Sequence, residues 1–317
     1  HEEPYTSTLQ QMGIEVLYGQ EYLTGIWDWL VKNGKDIHVA YLNRPHIATK
    51  YVDFIKEHTD IKMIYYGHDL HFMREFREYE LTGDVKKRQE SEYWKSIEFS
   101  LFHKVAVSYY PSYVEEEAIH AVDETIPVKA ITAYVYEEFL QNLNKDFAKR
   151  EGLLFVGGFA HPPNADAVLW FAKEVFPKIR EQIKVNFYIV GSKVTDEIKA
   201  LEQPGNGIIV KGFVSEEELA DLYRNCRIVV VPLRYGAGVK GKVVEAIYNG
   251  APIVTTSVGS EGIPDVEKVL LVKDQPDEFA ETVVELYKDE KRLEDLAEKT
   301  QVYIREHFSI DAAWDVI

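Results

Sequence analysis

The sequence predicts an α/β protein made of two Rossmann-like, doubly wound domains that face each other across a cleft. Two observations predict this class. Short β-branched runs alternate with longer amphipathic stretches along the chain, and a polar stretch without strand pattern, residues 137–151, interrupts the alternation near the middle. Strands joined through helices form parallel sheets, because a parallel connection needs a long crossover. A length of 317 residues fits two domains of ordinary size.

Composition excludes several classes of protein. An apolar fraction of 46% excludes wholesale disorder, and the net charge of −17, spread over both halves, argues against a nucleic-acid platform. No run approaches the roughly 18 apolar residues of a membrane span, and the first residues lack a signal-peptide pattern. The single cysteine, Cys226, excludes an internal disulfide and a cysteine-based zinc site. We therefore expect a cytoplasmic protein that binds a small molecule.

The first half, a domain expected over residues 1–140, opens in an unusual way. Residues 5–12 look like the end of a helix that Gly13 stops, so we expect this domain to lack its first strand or strands and the chain to be part of a longer polypeptide. Amphipathic helices are predicted at 48–57, 93–102 and 114–121. Strands are predicted at 14–18, 37–42, 61–66, 104–108 and 128–134.

The second half, a domain expected over residues 150–300, carries clear helix boundaries. Ser215 and Glu218 have the spacing of a capping box, Asn164 is placed to cap another helix, and Gly250 stands where a C-terminal cap belongs. An amphipathic helical region is predicted over residues 277–300. Strands are predicted at 153–156, 185–190, 207–211, 228–232, 253–256 and 269–272.

The most informative segment follows the predicted strand 228–232. Gly236, Gly238 and Gly241 permit close approach of a ligand to the backbone, and a helix is predicted to begin near residue 239. The helix N-terminus offers free N–H groups, and Lys240 and Lys242 add positive charge. These groups can hold a diphosphate and stabilise it as a leaving group without a metal. The alternative is a helix entry with two surface lysines.

Glu245 lies three residues beyond Lys242 and shares its helix face. A partly buried carboxylate there can accept two hydrogen bonds from a vicinal diol such as a ribose. A surface glutamate paired with Lys242 explains the spacing equally well, and the spacing does not decide between them.

Residues 153–164 (Leu-Leu-Phe-Val-Gly-Gly-Phe-Ala-His-Pro-Pro-Asn), 236–245 and 250–262 resemble the nucleotide-sugar half of family 4 of the retaining glycosyltransferases. The resemblance covers about residues 151–271. It is weaker in the first half, where it rests on residues 43–46 and 69–72. It implies the GT-B architecture, with the donor bound mainly by the second domain and a last helix, residues 301–317, packed back on the first.

Carried over residue by residue, the resemblance implies a donor site. Gly157 and Gly158 would let the diphosphate approach the backbone, as would Gly238 in the glycine-rich segment. Residues 211–214, with Phe213, would line the base. Glu245 matches the second glutamate of the family's E-x7-E pattern, which typically binds the ribose.

The sequence departs from the family pattern in two places. The first glutamate of E-x7-E falls at Ala237, so the acidic contact to the donor sugar is absent, and the usual Arg and Lys after the Gly-Gly turn are replaced by residues 161–163 (His-Pro-Pro). Lys240, Lys242 and Arg234 would supply that charge instead.

Asp69 and His71 follow the predicted strand 61–66 and would face the cleft. A carboxylate and an imidazole there can orient or deprotonate an acceptor hydroxyl. Loop polar residues satisfied by the backbone are the simpler alternative, and Arg44 and His46 are weaker candidates of the same kind. No third ligand of suitable spacing accompanies the histidines, so no metal site is predicted.

These features together predict a retaining, metal-independent glycosyltransferase without a cofactor. It would move a sugar from a nucleotide diphosphate-sugar donor to a saccharide or lipid-linked saccharide acceptor, during assembly of a surface polysaccharide or glycan. A sugar-nucleotide epimerase of similar architecture is one alternative. A non-catalytic module that binds a nucleotide or a glycan is another, since the glutamate expected at Ala237 is absent.

Overall fold

The computed structural model describes residues 5–314. Its first part, called here the first lobe (residues 20–136), is built on a four-stranded sheet. In chain order the residues up to 130 form α1 (Tyr5–Gln11), α2 (Gln20–Asn33), a 3-10 turn (Gly34–Asp36), β1 (Val39–Asn43), α3 (Pro45–His58), β2 (Lys62–Tyr66), α4 (His71–Thr82), α5 (Val85–Phe102), β3 (Val107–Tyr110), α6 (Tyr113–His120) and β4 (Val128–Ala130).

The strands of this sheet are all parallel and lie in chain order, β1-β2-β3-β4. Alternation within β2 explains its orientation, because Met63 and Tyr65 are buried while Lys62 is exposed. The buried side chains pack against helices in a core that includes Phe102, Tyr110 and Ile119. The order contains no reversal among the described strands, so the predicted double winding is not seen in this lobe.

The prediction of a strand at residues 14–18 is wrong. Gly13 does stop α1, with a φ of 82°, but the apolar residues after it form an irregular segment in which Ile14 and Tyr18 are exposed. A strand needs a neighbour to satisfy its backbone groups, and no described strand pairs with this segment. The strand predicted at 128–134 ends earlier, at Ala130.

The second lobe (residues 150–314) is built on a six-stranded sheet. Its elements are β5 (Leu153–Val156), α7 (Pro162–Trp170), which continues through a π-helical turn (Phe171–Val175) into α8 (Phe176–Arg180), β6 (Phe187–Val190), α9 (Asp196–Lys199), β7 (Ile208–Gly212), α10 (Glu216–Asn225), β8 (Ile228–Val231), α11 (Gly241–Tyr248), β9 (Ile253–Thr255), α12 (Ser257–Ser260), a 3-10 turn (Val266–Lys268), β10 (Leu270–Val272), α13 (Pro276–Lys288), α14 (Glu290–Phe308) and α15 (Ile310–Trp314).

This sheet is doubly wound. Its parallel strands lie in the order β10-β9-β8-β5-β6-β7, so the chain moves outward from β5 to β7 and then returns to place β8 on the other side of β5. The winding reverses between β5 and β8. In open parallel sheets, ligands bind beyond the carboxyl ends of the strands at such a reversal. The turns after Val156 and Val231 are therefore where a ligand is expected to bind.

Most of the predicted helix boundaries agree with the structure. The Ser215 hydroxyl accepts from the Glu218 N–H, and Gly250 has a φ of 66° just beyond α11. The predicted cap at Asn164 is wrong, because α7 begins two residues earlier at Pro162 and His161 occupies the N-cap position. Proline is favoured at the first helical position, since it has no N–H to leave unpaired.

Two parallel α/β sheets with helices between the strands confirm the predicted fold class. The lobes contact each other along the carboxyl ends of their strands, and α14 runs past residue 301 to Phe308, whose carbonyl accepts from the Tyr136 N–H. The domain limits predicted near residues 140, 150 and 300 stay predictions, and residues 1–4 and 315–317 lie outside the described part. No helix between residues 5 and 314 combines the length and apolarity that crossing a membrane requires.

Candidate functional site

The candidate site lies where the winding of the second sheet reverses and the first lobe comes closest. The turn after β5 contains Gly157 and Gly158, and the glycine-rich segment (residues 232–241) follows β8. A Cβ atom on Gly238 would lie 2.8 Å from the His68 carbonyl oxygen and 3.2 Å from the Asp69 Cβ atom. The structure therefore brings together three of the turns in which site residues were predicted.

Lys242 occupies the first turn of α11 and points at the turn after β5. Its ammonium donates to the Asn164 Oδ1 atom and lies 4.5 Å from the centre of the Phe155 ring, and a Cβ atom on Gly157 would be 2.7 Å from it. No carboxylate among the described residues pairs with it. Burial, with a smaller effect of Lys240, lowers the pKa of Lys242 to about 7. A half-buried ammonium with one neutral hydrogen-bond acceptor is suited to receive an anion.

The glycine-rich segment presents free backbone donors. From Leu233 to Lys240, no backbone N–H finds a protein acceptor among the described residues, although Gly236 and Gly238 are buried. Carbonyls of the segment, in contrast, accept hydrogen bonds from side chains. The Thr256 hydroxyl, for example, donates to the Leu233 carbonyl oxygen. Buried backbone N–H groups are nearly always paired in proteins, so this segment is built to meet a ligand or solvent.

Lys240 has a different environment from Lys242. Its ammonium donates to the Gly238 carbonyl and lies 4.0 Å from the Glu261 carboxylate. Burial lowers the pKa of Lys240, and the charges of Glu261 and Glu115 oppose that shift. The two lysines predicted to act alike are therefore separated by the structure, since only Lys242 lacks a carboxylate nearby.

Three other residues predicted to contact the donor follow the strands β5, β7 and β8. The Arg234 guanidinium forms a two-pronged ion pair with Asp166 of α7, one prong being 2.9 Å from Nε to Oδ2. Gly158 lies against Ser192, whose Oγ atom would be 3.4 Å from an added Cβ. Phe213, directly after β7, is 81% exposed, which leaves its ring free to stack on a planar group.

Glu245 lies half-buried among tyrosines and is not paired with Lys242, so the alternative of a surface ion pair is wrong. Burial raises the pKa of the Glu245 carboxyl, and the nearby Tyr223 hydroxyl opposes that shift. The Tyr223 hydroxyl itself makes no hydrogen bond of ordinary geometry with the described residues. The half-buried Glu245 carboxylate retains hydrogen-bonding capacity for a hydroxylated ligand, whereas the Tyr223 hydroxyl is buried away from solvent.

The predicted catalytic pair lies together, because the His71 Nδ1 atom is 3.9 Å from Asp69 Oδ1 and 3.3 Å from the Asp69 carbonyl oxygen, but each side chain also has a partner of its own. Asp69 borders the glycine-rich segment and pairs with Arg74, 2.5 Å from Oδ2 to Nη1. His71 begins α4, where its backbone N–H donates to the buried Glu98 carboxylate at 2.9 Å and its ring packs on Trp94. The His71 Nδ1 atom also lies 3.3 Å from Glu98. This contact turns the ring toward the interior of the first lobe.

His161 also belongs to this site, although the sequence predicted no role for it beyond replacing a residue of the family pattern. It is close enough to Arg74, Asp69 and Lys242 for their charges to act on its ring. Burial, followed by Arg74, lowers the pKa of His161 to about 4 even though solvent reaches the side chain, which is typical of the wall of a cleft. Its place directly after the turn that ends β5 was the signal available in the sequence.

Another concavity lies elsewhere on the second lobe. It has a volume of about 760 Å³ and is lined by Arg180, Asn186 and Ile208 at the amino ends of β6 and β7, away from the glycine turns. Within residues 5–314, no group of three or more His, Cys, Asp or Glu side chains is arranged to hold a metal ion.

Comparison with known proteins relates the second lobe to a family of enzymes. Residues 150–289, less than half of the chain, match the family model described as Glycosyl transferases group 1. A Klebsiella pneumoniae protein, described as an uncharacterized 44.6 kDa protein in a cps region, is 29% identical over 184 residues. The match covers 55% of this chain and 45% of that protein, so this chain aligns with about half of the length of its relative.

Solved structures extend the likeness beyond the group 1 domain to the whole fold. The Anabaena protein Alr3699/HepE, in complex with UDP-glucose, superposes over all of this chain and 88% of its own, with a TM-score of 0.72 and 14% identity. TarM from S. aureus superposes over 90% of this chain and 56% of its own, with a TM-score of 0.69 and 14% identity. Sucrose-phosphate synthase from Thermosynechococcus elongatus gives 0.70 at 16% identity, over 94% and 78% of the two chains. The shared architecture is the GT-B fold.

Proposed function

We propose that this protein transfers a sugar from a nucleoside diphosphate-sugar to a hydroxyl group of a saccharide or lipid-linked saccharide, with retention of configuration. The observation that carries the proposal is the Lys242 ammonium, half-buried beside the Gly157 turn and without a carboxylate partner in residues 5–314. An anion at this point would balance the charge of this lysine.

The diphosphate would lie between the turn after β5 and the glycine-rich segment. Lys242, the free N–H groups of the segment and the N-terminus of α11 would all donate to it. These donors are spread over the ends of two strands, so a diphosphate can contact more of them than a single phosphate can. The exposed Phe213 ring would stack on the base, and the Glu245 carboxylate would accept from the ribose hydroxyls.

In the transfer step, the bond from the sugar C1 atom to the diphosphate oxygen breaks while the acceptor oxygen bonds to C1 on the same face. The proton of the acceptor hydroxyl passes to the departing phosphate oxygen, so no base outside the substrates is consumed. Asp69, which borders the glycine-rich segment, would orient the acceptor hydroxyl. Lys242 and the backbone donors would stabilise the charge that develops on the leaving diphosphate.

The relatives support the choice of donor and process. The Anabaena neighbour binds UDP-glucose and TarM was crystallised with UDP. The Klebsiella relative is described by its place in a cps region, which fits a role in assembly of a surface polysaccharide. The reaction proposed here needs no metal, because the donors are all supplied by the chain.

The direct test is nucleotide binding by Lys242→Met. Methionine keeps the length of the side chain and removes its charge, so the variant is expected to fold with an unchanged or higher Tm. Loss of a charge-assisted contact worth about 1.5–3 kcal/mol should weaken binding at least tenfold in calorimetry with UDP, GDP or TDP.

Lys178→Met is the matched control, because Lys178 forms an exposed ion pair with Asp277 on the far side of the second lobe. It should bind as the wild type does. The proposal is wrong if the wild type binds none of the three nucleotides, or if Lys242→Met binds them as tightly as the wild type.

A further inference from the structure

Arg77 of α4 joins the first lobe to two segments of the second. Its Nη1 atom donates to the Gly236 carbonyl oxygen at 2.7 Å and to Glu261 Oε1 at 2.8 Å, and its Nη2 atom lies 2.8 Å from Glu261 Oε2. This fork of donors fixes a carboxylate and a carbonyl at the same time, which a single ammonium cannot do. Arg77 therefore ties the glycine-rich segment to the turn after α12.

The backbone of the segment that Arg77 holds is not ordered by regular secondary structure. Its backbone N–H groups from Leu233 to Lys240 donate to no protein acceptor among the described residues, so it lacks the ladder that would order a helix or strand. Gly236 and Gly238 have φ values of 147° and 75°, which few other residues tolerate. A segment of this kind has many conformations in isolation, and side chains from outside it must select one.

The charged groups around Arg77 are mostly buried. Lys240 lies 4.0 Å from Glu261, and the charge of Glu115, fully buried on α6 of the first lobe, also acts on Lys240. Arg77 and Lys240 thus share the Glu261 carboxylate where the lobes touch. Lys242, in contrast, is left outside this group and faces Gly157.

We propose that Arg77 is a positioning residue of the first lobe, which holds the glycine-rich segment with its N–H groups turned toward the donor diphosphate. The inference rests on the proposed function for the identity of the ligand, but not for the ordering of the segment. Glu261 acts with Arg77 as the second half of the clamp, and Lys240 is part of the clamp rather than a contact to the phosphates.

Ordering of the segment is tested without nucleotide, by trypsin cleavage of the whole chain followed by mass spectrometry. Lys240 is buried in the wild type, so cleavage after it requires the segment to open. Arg77→Gln and Glu261→Gln should each accelerate cleavage after Lys240 about tenfold, and the double variant should be no faster than the single ones. The cleavage rate of Arg77→Lys should lie between those of the wild type and Arg77→Gln, because the lysine ammonium can keep one of the contacts.

Arg224→Gln is the matched control, since Arg224 forms an exposed ion pair with Asp221 away from the cleft. It should leave cleavage after Lys240 unchanged. Unaltered cleavage in Arg77→Gln, with the fold intact by circular dichroism, would overturn the assignment. So would an effect in the double variant equal to the two single effects combined.

Binding is measured separately with whichever of UDP, GDP and TDP the wild type takes. Arg77→Gln should raise the Kd about tenfold, whereas Arg224→Gln should not change it. If cleavage changes as expected but the wild type binds no nucleotide, the proposed function fails while the ordering role stands. If nucleotide binds and Arg77→Gln binds equally well, the positioning role fails while the proposed function stands.

Discussion

Lys242 shows how burial and proton binding are linked at a single residue. Burial lowers its pKa to about 7, so the free protein loses this charge as the pH rises through neutrality. An anion binds the charged form of the lysine. Once the pH exceeds that pKa, the lysine must first be protonated, which makes the free energy of binding less favourable. The same lysine in an exposed position would stay charged to about pH 10.

This leads to a prediction for the pH dependence of binding. Affinity for UDP-glucose, whose diphosphate keeps the same charge over the range, should be flat below about pH 7 and fall up to about tenfold per pH unit above it. Calorimetry from about pH 6 to about pH 8 measures this. Lys242→Met should bind weakly and without that slope. A wild-type affinity that does not change with pH would contradict the assignment of this group.

At the scale of elements, the strand ends and their glycine turns were predictable from the sequence. A buried β-branched run followed by glycines and a capped helix is a local pattern, and β5, β8 and α11 form where that pattern predicts them. The N-terminus of α7 was not predicted correctly, because two adjacent prolines and a nearby asparagine offer competing starts. The segment 14–18 had a strand-like composition but no described strand to pair with.

The turn after β8 gives a prediction at this scale. Gly238→Ala would place a methyl group 2.8 Å from the His68 carbonyl oxygen at a φ of 75°, so both strain and a clash with the first lobe are expected. Strain alone costs about 1–2 kcal/mol in this backbone region. The clash should separate the lobes and weaken nucleotide binding at least tenfold in calorimetry.

Gly83→Ala is the matched control for that variant. Gly83 ends α4 with nearly the same φ, 73°, but an added Cβ would have no atom within 4 Å. It should lose similar backbone free energy in urea unfolding and keep its affinity for the nucleotide. Equal binding by the two variants would show that contact at Gly238 is unimportant.

At the scale of the whole molecule, the polar stretch between the lobes (residues 137–151) is anchored to the second lobe by hydrogen bonds. Arg150 is buried and donates from Nε to the Cys226 carbonyl at 2.7 Å, from Nη2 to the Tyr223 carbonyl at 2.9 Å and from Nη1 to the Asn144 carbonyl at 3.3 Å. Its guanidinium also lies 4.3 Å from the centre of the Phe147 ring. The composition of residues 137–151 predicts a linker but not this anchoring.

Arg150→Ala should therefore destabilise the whole chain. Three carbonyls would lose their donor, and the expected loss is on the order of 3 kcal/mol in urea unfolding. The adjacent Lys149→Ala is the control, because that side chain is exposed and pairs only with Asp146; its effect should stay within about 0.5 kcal/mol. A loss below about 1 kcal/mol for Arg150→Ala would mean that the linker is not held in this way.

The sequence by itself determined the α/β class, the positions of most strands and helix caps, and the glycine-rich turn with its two lysines before α11. These features follow from contacts between residues close in the chain. Only the tertiary structure decided that Lys242 meets Asn164, that Lys240 joins Glu261, and that Arg77 reaches Gly236, 159 residues away. Which charge stays unpaired depends on how two sheets pack, and packing between distant segments leaves no periodicity in the sequence.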